Sequence, residues 1–132
     1  MKIGKISESV LKRSVLKNIT AKSSEMENGA GVGSDCAIFS FADGSFSQAA
    51  QTFALSSADE IRYPIYRAVN SVAVSGAIPT AVSLAVLLPP DAEEAFLQET
   101  MRNADRAAKT LGIGIAGGHT EPSQKRWSAL RR

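Results

Sequence analysis

A chain of 132 residues, 44% hydrophobic and 21% charged, has the make-up of one globular domain, long enough to bury about two-thirds of its unfolded surface. Its lone cysteine, Cys36, excludes an intramolecular disulfide. No run resembles a signal peptide or spans a bilayer, so a cytoplasmic protein with no membrane partner is expected. The net charge of +2 is carried by Lys125, Arg126, Arg131 and Arg132 at the very end, and no basic face argues for nucleic acid.

In chain order, Ile6, Val10, Leu11, Val15 and Ile19 are spaced as one stripe of a helix, with Ser7 or Ser9 as caps. Ala21 to Ala30 turns polar and glycine-containing and reads as a loop. Gly29-Ala30-Gly31-Val32-Gly33-Ser34-Asp35 then approaches a strand expected over Cys36 to Phe41. Glycines there admit a phosphate to backbone N–H groups, and Asp35 could hold Mg2+. Simple flexibility before a strand is the other reading. Asp43-Gly44 predicts a hairpin turn into a second strand near Ser47 to Leu55.

Asp59 and Glu60 suit the N-terminus of the next helix, with a metal role as the alternative. Ile65, Val69, Val72, Ala73 and Gly76 form that helix's stripe, Pro64 fits its first turn, and Gly76 with Pro79 ends it. From Ala81 the period becomes two. Val82, Leu84, Val86 and Leu88 take one face, Ala81, Ser83 and Ala85 the other. Beyond Pro89-Pro90, Asp91 or Glu93 opens a helix whose stripe is Phe96, Leu97, Met101, Ala104, Ala108 and Leu111, ended by Gly112. A last strand, Ile113 to Ala116, runs into Gly117-Gly118-His119-Thr120-Glu121. Paired glycines leave room for a ligand beside the Thr120 hydroxyl and the Glu121 carboxylate. His119, the only histidine, reads first as a structural hydrogen-bonder and second as a catalytic group.

Arg62 to Pro79, with the pattern Arg-x-x-x-x-Arg-Ala-Val-Asn-x-x-Ala-x-x-Gly-Ala-x-Pro, resembles the N-terminal domain of the AIR synthase-related (PurM-like) superfamily, and most closely its HypE-like members. Gly117-Gly118-His119-Thr120 is similar to that family's Gly-Gly-x-Thr segment, and Gly33, Asp35 and Ala37 match its Gly-Asp-Asp-Ala segment. The resemblance implies an α+β domain: a mostly antiparallel sheet of about four strands, helices on one face, dimer-forming. It implies ATP and Mg2+ as cofactors, nucleotide contacts at Gly33, Asp35, Asn70, Gly117, Gly118 and Thr120, and a metal ligand at Asp35. Ser34 and Ser71 stand where relatives carry further acids.

The expected domain is residues 1–121, with 122–132 an aberrant or disordered tail. Lys-Arg-Trp-Ser-Ala-Leu-Arg-Arg can be written in codons that, read two nucleotides later, give Ala-Val-Glu-Arg-Pro, a segment relatives carry at this point. The tail is therefore expected to be a frameshift product and the C-terminal domain absent. The leading expectation is a HypE-like, ATP-binding N-terminal half, truncated and catalytically incomplete, from a family whose HypE members dehydrate a carboxamide during hydrogenase maturation. The alternative is a non-catalytic dimerisation or regulatory module with weakened nucleotide binding. The expected partners are the nucleotide and a second copy of the chain.

Overall fold

In a computed structural model the structure describes residues 5–123. Their order is α1 (Glu8–Ser14), β1 (Met26–Asn28), β2 (Ala37–Phe41), β3 (Gly44–Gln48), α2 (Arg62–Val74), β4 (Ala81–Leu88), α3 (Glu94–Leu111) and β5 (Gly114–Pro122). The fold is α+β, with an antiparallel three-stranded sheet, β1-β2-β3, and a parallel pair, β4-β5. Two compact units divide the chain. The first comprises Met1–Ala49 with Ser71–Ala77, the second Ala50–Asn70 with Ile78–Arg132.

In the first unit, α1 is shorter than its apolar stripe. The backbone leaves the helix at Val15 and makes one 3-10 turn, Leu16–Asn18, so Val15 and Ile19 are exposed. The expected loop from Ala21 to Ala30 contains a strand. Met26 pairs with Phe39 and Asn28 with Ile38, because β2 offers an open edge and backbone pairing needs no hydrophobic pattern. Ser40 reinforces this with its hydroxyl on Glu27 at 2.5 Å. The hairpin turn also sits one residue earlier than expected. Phe41 pairs with Gly44, leaving Ala42-Asp43 as the loop, and β3 ends at Gln48 rather than running from Ser47 to Leu55. Phe46 drives this register by stacking on Phe39 at 4.9 Å and Phe41 at 5.8 Å.

The second unit holds the main core. Ile61, Ile65, Ala104 and Ala107 form its buried centre, with Leu55, Tyr66, Val82, Leu84, Leu111, Ile113 and Ile115 packed around it. The period-two reading of β4 holds: Val82 and Leu84 are half-buried and Val86 and Leu88 buried, while Ala81, Ser83 and Ala85 are exposed. The helices therefore cover one face of the parallel pair. Burial of an aliphatic side chain such as Ile65, 1% exposed, stabilises by about 1.5–3 kcal/mol.

Helix α3 packs closely on this face because its inward positions are small. Ala104, Ala107 and Ala108 are buried, as is Thr100, whose hydroxyl donates to the Phe96 carbonyl at 2.8 Å. Gly112 ends the helix in the left-handed conformation, φ 69, and its N–H reaches the Lys109 carbonyl. Entry to α2 is fixed by a Ser57–Glu60 capping box, in which the Glu60 carboxylate accepts from the Ser56 N–H at 2.6 Å and the Ser57 N–H at 3.4 Å.

Strand β5 is longer than its sequence suggests. It continues from Gly114 through the whole Gly-Gly-His-Thr-Glu segment to Pro122, parallel to β4 and linked to it by α3. Such a crossover is what a parallel neighbour requires. The expected domain end at Glu121 falls inside this strand, and tail residues 124–132 lie outside the described residues. No helix among the described residues is long and apolar enough to cross a membrane.

Candidate functional site

The candidate residues divide between the units. Gly33 and Asp35 belong to the first; Asn70, Gly117, Gly118 and Thr120 belong to the second. Gly33 lies in the turn before β2 with φ 80, and nothing stands within 4 Å of where a Cβ would project. Asp35, two residues on, is exposed. That opening and that carboxylate fit a phosphate-bound cation, for which Mg2+ needs only one or two protein carboxylates. Asn70 is exposed on α2. Asp59, open to a metal or a structural reading, forms an ion pair with Arg62 at 3.0 Å. The Arg62 guanidinium is held above its ordinary pKa first by its hydrogen bond to the Tyr63 hydroxyl and then by the Asp59 charge.

Gly117, Gly118 and Thr120 lie together on β5, where one irregularity decides what each can do. Val82 pairs with Ile115, but Ser83 pairs with Gly117, so Ala116 is an extra residue on β5. Gly117 and Gly118 absorb it with φ of 124 and 148. Since side chains alternate along a strand, one extra residue exchanges the two faces from there on. Gly118, Thr120 and Pro122 now align with the inward Leu84, Val86 and Leu88. Gly117, His119 and Glu121 align with the outward Ser83, Ala85 and Leu87.

The two glycines differ. A Cβ on Gly118 would stand 2.6 Å from the Leu84 carbonyl carbon and 2.8 Å from its nitrogen, so the missing side chain is required by β4 rather than by a ligand. Around Gly117 nothing lies within 4 Å, which leaves room for an approaching group. On its face, His119 Nε2 and Glu121 Oε2 are 3.2 Å apart, with side chains 70% and 55% exposed. Sequence reasoning noted both residues but missed their pairing, because the bulge that aligns them has no signal beyond two adjacent glycines. Among the described residues no group of three or more His, Cys, Asp or Glu could hold a metal ion by itself.

An α+β domain with a helix-covered βαβ unit and a glycine-bulged final strand is the class these features define. A family model described as AIR synthase related protein, N-terminal domain, matches residues 62–129, a span that includes Asn70, Gly117, Gly118 and Thr120. The chain belongs to the AIR synthase-related family. No curated protein matches it.

Proposed function

We propose that this chain is the ATP-binding type of N-terminal domain from a HypE-like, AIR synthase-related protein. The observation that carries the reading is the family match over residues 62–129, which takes in the Gly-Gly-His-Thr segment. In this reading Gly33 is the first unit's candidate for phosphate and Asp35 for Mg2+, while Asn70, Gly117 and Thr120 are the second unit's own candidates for nucleotide contact. Gly118 serves the same segment indirectly by letting β5 lie against Leu84. The chemistry ATP supplies when bound is activation of an amide or carbonyl oxygen, which in HypE-like proteins removes water from a carboxamide. A cytoplasmic location belongs to the same reading.

Two copies are proposed to join through the sheet, where Ala81, Ser83 and Ala85 leave β4 exposed and flat on one side. Light scattering on the purified chain checks this: a mass of one chain at all concentrations rejects it.

A second reading is a dimerisation or regulatory module that binds nucleotide poorly. Ser34 and Ser71 favour it, since a hydroxyl is a weaker ligand for a hard dication than the carboxylates relatives carry there. Calorimetric titration with ATP and Mg2+ separates the two. Micromolar affinity that Asp35→Ala weakens supports the first; silence at millimolar nucleotide supports the second.

A further inference from the structure

One peptide bond of the first unit carries the means of its own modification. Asn28, the last residue of β1, is exposed and is followed by Gly29. It is the only one of the chain's four asparagines that precedes a glycine. The side-chain amide carbon of an asparagine can close a five-membered ring with the next backbone nitrogen. A side chain on the following residue hinders that closure, and so does a fixed N–H; glycine removes the first obstacle.

The second obstacle separates the four asparagines. Asn70 and Asn103 lie within α2 and α3, where the N–H groups of Ser71 and Ala104 are bonded in the helix. Asn18 closes a 3-10 turn, in which the Ile19 N–H donates to the Leu16 carbonyl at 3.2 Å. The Asn18 amide itself donates to the Ser14 carbonyl at 3.1 Å. Gly29, by contrast, lies beyond the end of β1, a strand of three residues, none of them buried. The register of β1 with β2 is irregular between Met26 and Asn28, and such an end opens locally at little cost. Packing favours the glycine: a Cβ on it would stand 2.7 Å from Met26 Sδ, so a larger residue would displace Met26.

We propose that Asn28 deamidates spontaneously and that the isoaspartate so formed releases β1 from β2. Gly29 N bonds to Asn28 Cγ, the Cγ–Nδ2 bond breaks, and ammonia leaves with the proton that Gly29 N carried. Water then opens the resulting succinimide at either carbonyl. Opening at Cγ gives aspartate; opening at the main-chain carbonyl gives isoaspartate, whose backbone runs through Cβ and Cγ. The net reaction consumes one water and yields one carboxylate and one ammonium ion. Aspartate adds a charge beside Glu27, in a stretch from Ser23 to Ile61 that holds no lysine or arginine. Isoaspartate also inserts a methylene into the main chain, which a strand cannot absorb while keeping its pairing. The Met26–Phe39 and Asn28–Ile38 pairs are then lost together. The inference stands apart from the nucleotide reading, since the reaction needs no ligand.

Cleavage after lysine and arginine puts each asparagine in a separate peptide, so mass spectrometry follows all four at once. The purified chain is held in warm, mildly alkaline buffer and sampled with time. Expected is conversion at least about tenfold faster at Asn28 than at Asn18, Asn70 or Asn103, the least that opening a helix imposes. Asn28→Gln, whose longer side chain must close a six-membered ring, is expected to stay folded and unmodified. Amide hydrogen exchange reads the consequence at the Ser40 N–H, which donates to the Glu25 carbonyl at 2.8 Å. Aged protein enriched in isoaspartate should lose that protection, while aged Asn28→Gln and fresh Asn28→Asp should keep it. Conversion in the folded chain no faster at Asn28 than at the other three overturns the proposal. So does protection at Ser40 that survives in the isoaspartate form, or that Asn28→Asp loses in full, since charge alone would then account for it.

Discussion

Gly118 lies against the backbone of Leu84 so closely that a Cβ there would come within 2.6 Å of the Leu84 carbonyl carbon. Its neighbour Gly117, with an equally unusual backbone, has nothing within 4 Å. The same dipeptide therefore contains one glycine required by packing and one required only by conformation.

Substitution should separate these two requirements. Gly118→Ala is expected to destabilise by about 3 kcal/mol or more, since backbone on both sides must shift. Gly117→Ala should cost less, about 1–3 kcal/mol, the strain of its positive φ alone. Urea unfolding of the two variants and the parent measures this; equal losses would show that the β4–β5 approach is looser than described.

Overpacking should be poorly tolerated on α3. Ala104 is fully buried between that helix and the Ile61–Ile65 layer. Ala104→Leu is expected to lose about 1–3 kcal/mol, as extra methylenes in a filled core usually do. Thr100→Val should change stability by less than about 1 kcal/mol, because the hydroxyl bonds only a helix carbonyl that already has a backbone donor. Thermal unfolding distinguishes the two.

The start of the α2 region depends on Glu60, which satisfies two N–H groups with one carboxylate. Glu60→Ala should cost about 1 kcal/mol. Circular dichroism melts test it, and Asp59→Ala serves as the comparison, removing only an exposed ion pair worth less.

Acid should loosen the first unit through Glu25. Hydrogen bonds from Ser23 and then Ser24 hold its pKa below the ordinary value of 4.5. A folded value below the unfolded one means that the stabilisation is complete above the unfolded value and disappears as pH falls through the folded one. Glu25→Gln should therefore lower stability at pH 6 relative to the parent and leave the two alike well below pH 4. The contribution is small because the group is exposed. A gap that persists at low pH would assign the effect to something other than ionisation.

Much of the second unit was legible in order along the chain. Alternation from Val82 to Leu88, the α3 stripe and the Gly112 stop depend on local periodicity and local backbone freedom, which a single strand or helix displays by itself. What escaped was pairing. Met26–Asn28 became a strand because β2 was available as a neighbour, and Phe46 moved the hairpin by stacking on Phe39 and Phe41. Neither partner is close enough in sequence to leave a periodic mark.

The amino-acid sequence by itself determined the α+β class, the helices at Arg62 and Glu94, the two faces of β4 and the family to which the chain belongs. Only the tertiary structure decided which way His119, Thr120 and Glu121 face. That direction follows from one extra residue at Ala116, and an inserted residue acquires meaning only when a second strand is present to count against.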